Sequence, residues 1–163
     1  MHECTFVSRP LVEEDLPLVL DLCLGNPLYY GFIGEKPTIE SLAVELGELP
    51  PGCSPEQKRT VGYFDRSGKL TAFLDLVYDY PDERCAYIGL FMVAIDFQGR
   101  GVGTAIVNDL LVSLHARGFS RVRLAYVQGN WQSQTFWEKC GFVQAGEPVA
   151  FASYAAVPME RVL

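Results

Sequence analysis

The sequence predicts one α/β (α+β) domain over residues 1–163, a mixed sheet with helices on both faces, and three observations carry that expectation. The chain has 163 residues, 49% hydrophobic and 20% charged, enough to bury a core without metals or disulfide staples. Runs at helical spacing and strand-like runs follow one another as strand, two helices, three strands, helix, strand, helix and two closing strands, an order that layers helices onto a mixed sheet. No internal repeat, low-complexity tract or charge block interrupts the chain, so no linker divides it.

The first strand is expected over Thr5–Ser8. After it, Glu13-Glu14-Asp15 places acidic groups where a helix N-terminus favours them, and Leu16, Val19, Leu20 and Cys23 recur at helical spacing until Gly25. Asn26 to Phe32 reads as an aromatic-rich loop. Thr38 then caps a second helix whose Ile39, Leu42, Ala43 and Leu46 share a face, and Gly47 with Pro50-Pro51 ends it. Arg59–Phe64 and Leu70–Tyr78 read as antiparallel neighbours joined by Asp65-Arg66-Ser67-Gly68, whose glycine suits the positive φ of a hairpin turn. A turn at Tyr80-Pro81-Asp82-Glu83 leads into Cys85–Val93, an almost continuously apolar run expected as a central strand covered on both faces. From Gly101 to Arg117 the pattern is helical, with Val102, Ala105, Ile106, Leu110 and Leu114 on a broad apolar side and Gly118 as the stop. Val122, Leu124 and Tyr126 alternate with Arg121, Arg123 and Ala125 as a strand. Ser133–Cys140 is a short helix ended by Gly141, and Phe142 onward returns as two strands.

Thirteen basic against twenty acidic residues give a net charge of −7, which argues against nucleic-acid and anionic-membrane partners and suits a cationic substrate. The segment Met1-His2-Glu3-Cys4 carries no basic region followed by an apolar run, and no stretch approaches the ~18 apolar residues that cross a bilayer, so the expected location is cytoplasmic. Five cysteines at 4, 23, 53, 85 and 140 form no C-x-x-C pair, so neither a disulfide framework nor a zinc or other metal site is expected.

Gln98-Gly99-Arg100-Gly101-Val102-Gly103-Thr104 stands between the buried strand and the long helix. Glycines there let backbone N–H groups approach a ligand, and the positive end of the helix dipole converges on the same place, which is the make-up of a phosphate loop. The loop is not a Walker loop, because Gly103 is followed by Thr104-Ala105 and no lysine. A dinucleotide fingerprint would align Gly99 and Gly101 but put Thr104 where a small glycine or alanine belongs.

What remains resembles motif A of the GNAT superfamily of N-acetyltransferases, Q/R-x-x-G-x-G/A, matched by Gln98, Gly101 and Gly103 after a strand ending Phe91-Met92-Val93. Family members also carry an Asn and then a helix ending in Tyr-x-x-x-Gly-Phe. Here Asn130 is followed by Ser133, Phe136, Trp137 and Cys140-Gly141-Phe142. The motif-bearing resemblance covers roughly residues 85 to 145, and the N-terminal part agrees in the order of elements.

The resemblance implies a mixed, mostly antiparallel sheet with a V-shaped cofactor cleft between the strands ending at Val93 and near Tyr126. It implies acetyl-CoA as the cofactor. Phe91, Met92 and Val93 would hold pantetheine and thioester, and the amides of Gly99, Arg100, Gly101, Val102, Gly103 and Thr104, beginning from Gln98, would hold the pyrophosphate. Asn130, Ser133, Phe136 and Trp137 would line the other side, with a core-aromatic role equally open for Phe136. The implied acceptor is a small-molecule or peptide primary amine that attacks directly, and the oligomeric state is left open, a homodimer included.

Two positions depart from the family. Trp137 replaces the Tyr whose hydroxyl protonates the leaving sulfur in many members, and Ala125 stands where some relatives carry a Glu base. Other relatives use a carboxylate early in the central strand. The matching Tyr87, read as sharing a side with Gly89 and Phe91, is the candidate catalytic residue, orienting a water. The acceptor side is expected from Tyr29, Tyr30 and Phe32 together with Asp75, Tyr78, Asp79 and Tyr80, aromatic faces and carboxylates that attract an ammonium. The competing reading is a non-catalytic acyl-CoA-binding module that kept the loop and lost its chemistry.

Overall fold

The computed structural model describes residues 6–163. Thr5, where the first strand was expected to open, and the segment Met1–Cys4 lie outside the described residues. The first strand, β1, runs Val7–Pro10, and a single 3₁₀ turn at Glu13–Asp15 leads into α1 (Leu16–Leu24), α2 (Pro27–Ile33) and α3 (Ile39–Gly47). The sheet continues with β2 (Lys58–Phe64), β3 (Leu70–Tyr78) and β4 (Cys85–Val93). Then come α4 (Val102–Ala116), β5 (Arg121–Val127), α5 (Trp131–Lys139), β6 (Val143–Gln144), β7 (Val149–Ala150) and β8 (Ala155–Val162).

The segment expected as an aromatic loop is the helix α2. Pro27 sits in the first helical turn, where its missing N–H costs nothing, and Gly34 closes the helix in the left-handed conformation (φ 73°). The helix expected from Ser133 begins at Trp131, because the Asn130 side chain accepts the Ser133 N–H at 3.2 Å and caps it. The two expected closing strands are three, β6 and β7 being short strands that each pair with β8.

The sheet order is β1-β2-β3-β4-β5-β8-β6, antiparallel throughout except where β4 meets β5. One core, on Leu74, Leu76, Ile88, Val122 and Leu124, lies beneath α4 and α5 and includes Leu111, Leu114 and Trp137. A second, on Phe64, Phe73, Met92 and Val127, lies beneath α1, α2 and α3 and includes Val19, Leu22, Tyr30 and Leu42. Helices thus cover both faces. No single helix among the described residues is long and apolar enough to cross a membrane.

Candidate active site

The parallel pairing of β4 with β5 runs only from Cys85↔Arg121 to Ile88↔Leu124. From Gly89 to Val93, β4 keeps its partner β3 but has none on the β5 side, while β5 turns its remaining residues to β8. The strands diverge there, and beyond the divergence lies a cavity of about 520 Å³ walled by the end of β4, the loop after it, α2 and α5. A bulge marks where the strands part: Asp75 pairs with Leu90 and Leu76 with Ile88, so Gly89 is the extra residue on β4.

The bulge also shifts the alternation of side chains. Phe91 stacks on Phe136 on the side of α4 and α5, whereas Tyr87 packs edge-on against Tyr80. Tyr87 therefore does not share a side with Phe91 and does not line the cavity, and burial pushes its hydroxyl further above its ordinary pKa.

The far end of the cavity is the glycine loop. Gly99 (φ 73°) and Gly101 (φ 77°) adopt a conformation that side-chain-bearing residues resist, and a Cβ added at either would meet nothing within 4 Å. Their environment is open space at the N-terminus of α4, which begins after Gly101. Gly103 is small for a different reason. A Cβ there would lie 3.1 Å from the Phe136 ring and 3.3 Å from Val93. Gln98 braces the loop from beneath: its Nε2 donates to the Val93 carbonyl at 2.8 Å and to Asn26 Oδ1 at 2.6 Å, and Asn26 Nδ2 donates to the same carbonyl at 3.2 Å and to Leu22 O at 2.9 Å. The Val93 carbonyl is thereby occupied, and the end of β4 is tied to the junction of α1 and α2.

Of the residues expected to meet the cofactor, Phe91, Met92, Val93, Gln98, Gly99, Gly101, Gly103, Thr104, Asn130, Ser133, Phe136 and Trp137 all line the cavity. Val102 faces inward into the core, and Arg100 is exposed, so neither side chain lines it. Trp137 is 7% exposed, set among Phe91, Phe136 and Phe142. The cavity also takes Asn26, Leu28, Phe97, Trp131, Gln132, Thr135 and Lys139, which sequence reasoning missed. Asn26 and Leu28 fall in the segment read as an aromatic-rich loop, where only the aromatic residues were singled out, and the outward face of α5 carries no periodic signal of its own.

The expected acceptor group divides. Tyr29 lines the cavity. Tyr30 is turned into the core beside Cys23 and does not. Tyr78 lies at the opposite end of the molecule under the guanidinium of Arg117, which donates to its hydroxyl at 2.8 Å, and beside Phe119. The cause is strand parity. Leu74, Leu76 and Tyr78 face α4, and Asp75 faces the other way. Asp75 stands behind the cavity, not on its wall. Tyr80 meets Tyr87, and the Asp79 carboxylate accepts the Arg84 N–H. Phe32 packs on the core of α1 to α3 and reaches toward Gly129. A segment not anticipated in sequence, the turn between β7 and β8, sits on α2: Ser153 Oγ donates to Ile33 O at 2.9 Å, and Tyr154 packs on the same core.

Asp75 is 8% exposed and forms an ion pair with Lys58 at 3.3 Å, while the ammonium donates to the carbonyls of Glu45 and Glu48. Burial holds the Asp75 carboxyl above its ordinary range, Lys58 opposing. Glu45 is also held up, by burial and by the carboxylates of Glu35, Asp75 and Glu48. Among the described residues, no group of three or more His, Cys, Asp and Glu is placed to hold a metal ion.

The arrangement fits coenzyme A as a ligand: an open strand edge for an extended arm, a glycine loop with empty space over its positive-φ positions, and a helix N-terminus for the phosphates. Residues 36–142 match the family model described as acetyltransferase (GNAT) family. Among solved structures, an acetyltransferase from Thermus thermophilus is 24% identical over 100% of both chains, with a TM-score of 0.76. The ribosomal-protein-S18-alanine N-acetyltransferase from Escherichia coli is 18% identical over 97% of this chain and 94% of its own, with a TM-score of 0.70. The spermidine N-acetyltransferase from Vibrio cholerae, solved in complex with CoA and spermine, is 19% identical over 96% and 95%, also with a TM-score of 0.70. At these identities the likeness is one of fold. No curated protein matches the sequence.

Proposed function

The chain belongs to the acetyltransferase (GNAT) family, and from that premise we propose that it moves an acetyl group from acetyl-CoA to a primary amine by direct attack. The observation that carries the reading is the parting of β4 from β5 at Gly89 with the glycine loop at its far end. Acetyl-CoA supplies the activated acyl carbon as a thioester. The amides between Gly99 and Thr104 and the dipole of α4 hold its pyrophosphate, and Lys139 adds a cation on the same wall. The unpaired edge of β4 past Gly89 offers backbone groups to the pantetheine arm and an amide to the developing oxyanion, a contribution that grows where water is excluded.

Direct attack is supported by the cysteines. Among the described residues, Cys23, Cys85 and Cys140 are buried, with thiols pushed up by burial, that of Cys23 to about 11, and neither they nor the half-buried Cys53 line the cavity. Trp137 cannot protonate the departing sulfur, but a thiol pKa near ~8.5 disfavours the free thiolate at neutral pH by only about 2 kcal/mol, so water suffices. The acidic surroundings of Tyr29, on Glu35 and Glu45, suit a cationic acceptor.

The test is thiol release from acetyl-CoA, with the acetylated product weighed by mass spectrometry, across spermidine, alanine amide, glucosamine and an alanyl peptide. Amine-dependent release with N-acetyl product is expected. Tight CoA binding with no release on any amine would favour the alternative drawn from Ala125 and Trp137, a binding module without chemistry.

A further inference from the structure

Ala125 is an exposed alanine, Tyr87 is turned away, and no carboxylate lines the cavity, so the family positions for a base are empty among the described residues. A base is nevertheless needed, since an amine of pKa ~10 is almost wholly protonated at pH 7, and freeing its lone pair costs about 4 kcal/mol. The nearest buried carboxylate to the apex of the cleft comes from the neighbouring strand. At Gly89, where β4 loses β5, the three atoms closest to an added Cβ all belong to Asp75, beginning with Oδ2 at 3.1 Å. Gly89 itself is exposed. Gly89 thus lacks the side chain that would stand against the carboxylate of Asp75, which is 8% exposed and whose Oδ1 has no hydrogen-bond partner among the described residues.

We propose that Asp75, held by Lys58 and uncovered by Gly89, is the general base that accepts the acceptor amine's proton at the apex of the cleft. The inference rests on the acetyl-transfer reading above. In the step, Asp75 takes one proton from the ammonium through one water over Gly89. The freed nitrogen forms the C–N bond to the acetyl carbon as the C–S bond breaks, the second proton lost by nitrogen goes to the departing sulfur, and Asp75 returns its proton to solvent. No other reactant is required.

The surroundings suit the task. Lys58 from β2, Glu45 from α3 and Glu48 just after that helix are the charged groups facing Asp75, and β4 contributes the uncharged Gly89 and Leu90. Lys58 orients the carboxylate while its ammonium is shared with two backbone carbonyls, so Asp75 keeps basicity that a tight hydrogen-bonded pair would remove. A carboxylate whose pKa burial holds above its ordinary range is a better base for the ammonium than an ordinary one.

The experiment takes the best acceptor of the four-amine panel and measures kcat/KM against pH for the wild type, Asp75→Asn, Gly89→Ala and the double variant Asp75→Asn with Lys58→Met. The double variant removes both members of the pair and keeps the test open if Asp75→Asn alone fails to fold. Asp75→Asn should lower kcat about a hundredfold and abolish the acidic limb of the profile, and the double variant should do the same. Gly89→Ala should give an intermediate loss. Acetyl-CoA affinity by calorimetry should stay within about twofold in the two Asp75 variants. A carbon-13 titration of Asp75 in the wild type should match the acidic limb. Retention of kcat and of that limb in both Asp75 variants would overturn the proposal while leaving acetyl transfer standing. Absence of transfer by the wild type to every amine would overturn both.

Discussion

Replacing Gly101 by Val puts the two demands on the glycine loop into conflict with one substitution. Gly101 sits at φ 77°, ψ 4°, immediately before α4, and its carbonyl accepts the Ala105 N–H at 3.0 Å, so the helix cannot start elsewhere without losing that bond. A left-handed residue with a Cβ costs about 1–2 kcal/mol, and a β-branched one lies at the upper end. For a chain of this size that lowers Tm by roughly 4–8 °C. Nothing lies within 4 Å of the added Cβ, so packing adds no further penalty to the free protein. The same emptiness means that the isopropyl group projects into the space assigned to the pyrophosphate. CoA affinity should fall at least tenfold, about 1.4 kcal/mol, measured by titration calorimetry at 25 °C where the variant is folded. Gly103→Ala is the contrasting case, since its methyl would press on the Phe136 ring and Val93, and its cost is one of fit inside the wall. An unchanged CoA affinity in a folded Gly101→Val variant would refute the placement of the phosphates on this loop.

Trp137→Phe should retain most of kcat, and Trp137→Tyr should match or exceed the wild type, because the indole packs among Phe91, Phe136 and Phe142 and carries no transferable proton; a thousandfold fall in kcat for Phe, about 4 kcal/mol, would contradict this. The neighbouring tyrosines of α2 should separate cleanly. Tyr29→Ala should raise the amine KM with CoA affinity unchanged, whereas Tyr30→Ala should cost about 3–5 kcal/mol of stability in denaturant melts, as loss of a buried ring does. The Asp15 carboxylate accepts two hydrogen bonds from Arg9, at 2.7 and 2.8 Å, and the Val12 N–H at 2.8 Å, and the Arg9 bonds chiefly hold its pKa below the ordinary value against the effect of burial. A depressed folded-state pKa gives stability that is present above the unfolded pKa and lost as pH falls through the folded one. Asp15→Asn should thus lower Tm by about 2–4 °C at pH 7, with the gap to wild type closing as the pH is taken below the ordinary carboxylate range.

The central strand and the helix after the glycine loop were legible because nothing competes with their signals: Cys85–Val93 is apolar almost without break, and the Val102–Ala116 face recurs at helical spacing. The phosphate loop was legible because Gly99 and Gly101 carry a conformational demand that few other residues meet. What sequence could not give was parity. A single extra residue at Gly89 turns Phe91 to the side opposite Tyr87, and an odd spacing of three positions along β3 puts Asp75 and Tyr78 on opposite faces of the sheet. Long-range partners were equally hidden. Lys58 with Asp75, and Gln98 with Asn26 across 72 positions, involve residues whose local sequence reads as strand and turn. The helix at Pro27–Ile33 was missed because proline and glycine act as breakers or as termini according to position, and only the three-dimensional frame fixes which.

The central claim is that the parting of β4 from β5 is the cofactor site, and a crystal structure of the protein grown with acetyl-CoA tests it most directly. The account predicts the pantetheine arm along the unpaired edge of β4 from Gly89 to Val93, the pyrophosphate on the amides between Gly99 and Thr104, and the thioester at the apex nearest Gly89. Acetyl-CoA bound at any other place, with this cleft closed or filled by side chains alone, would contradict it.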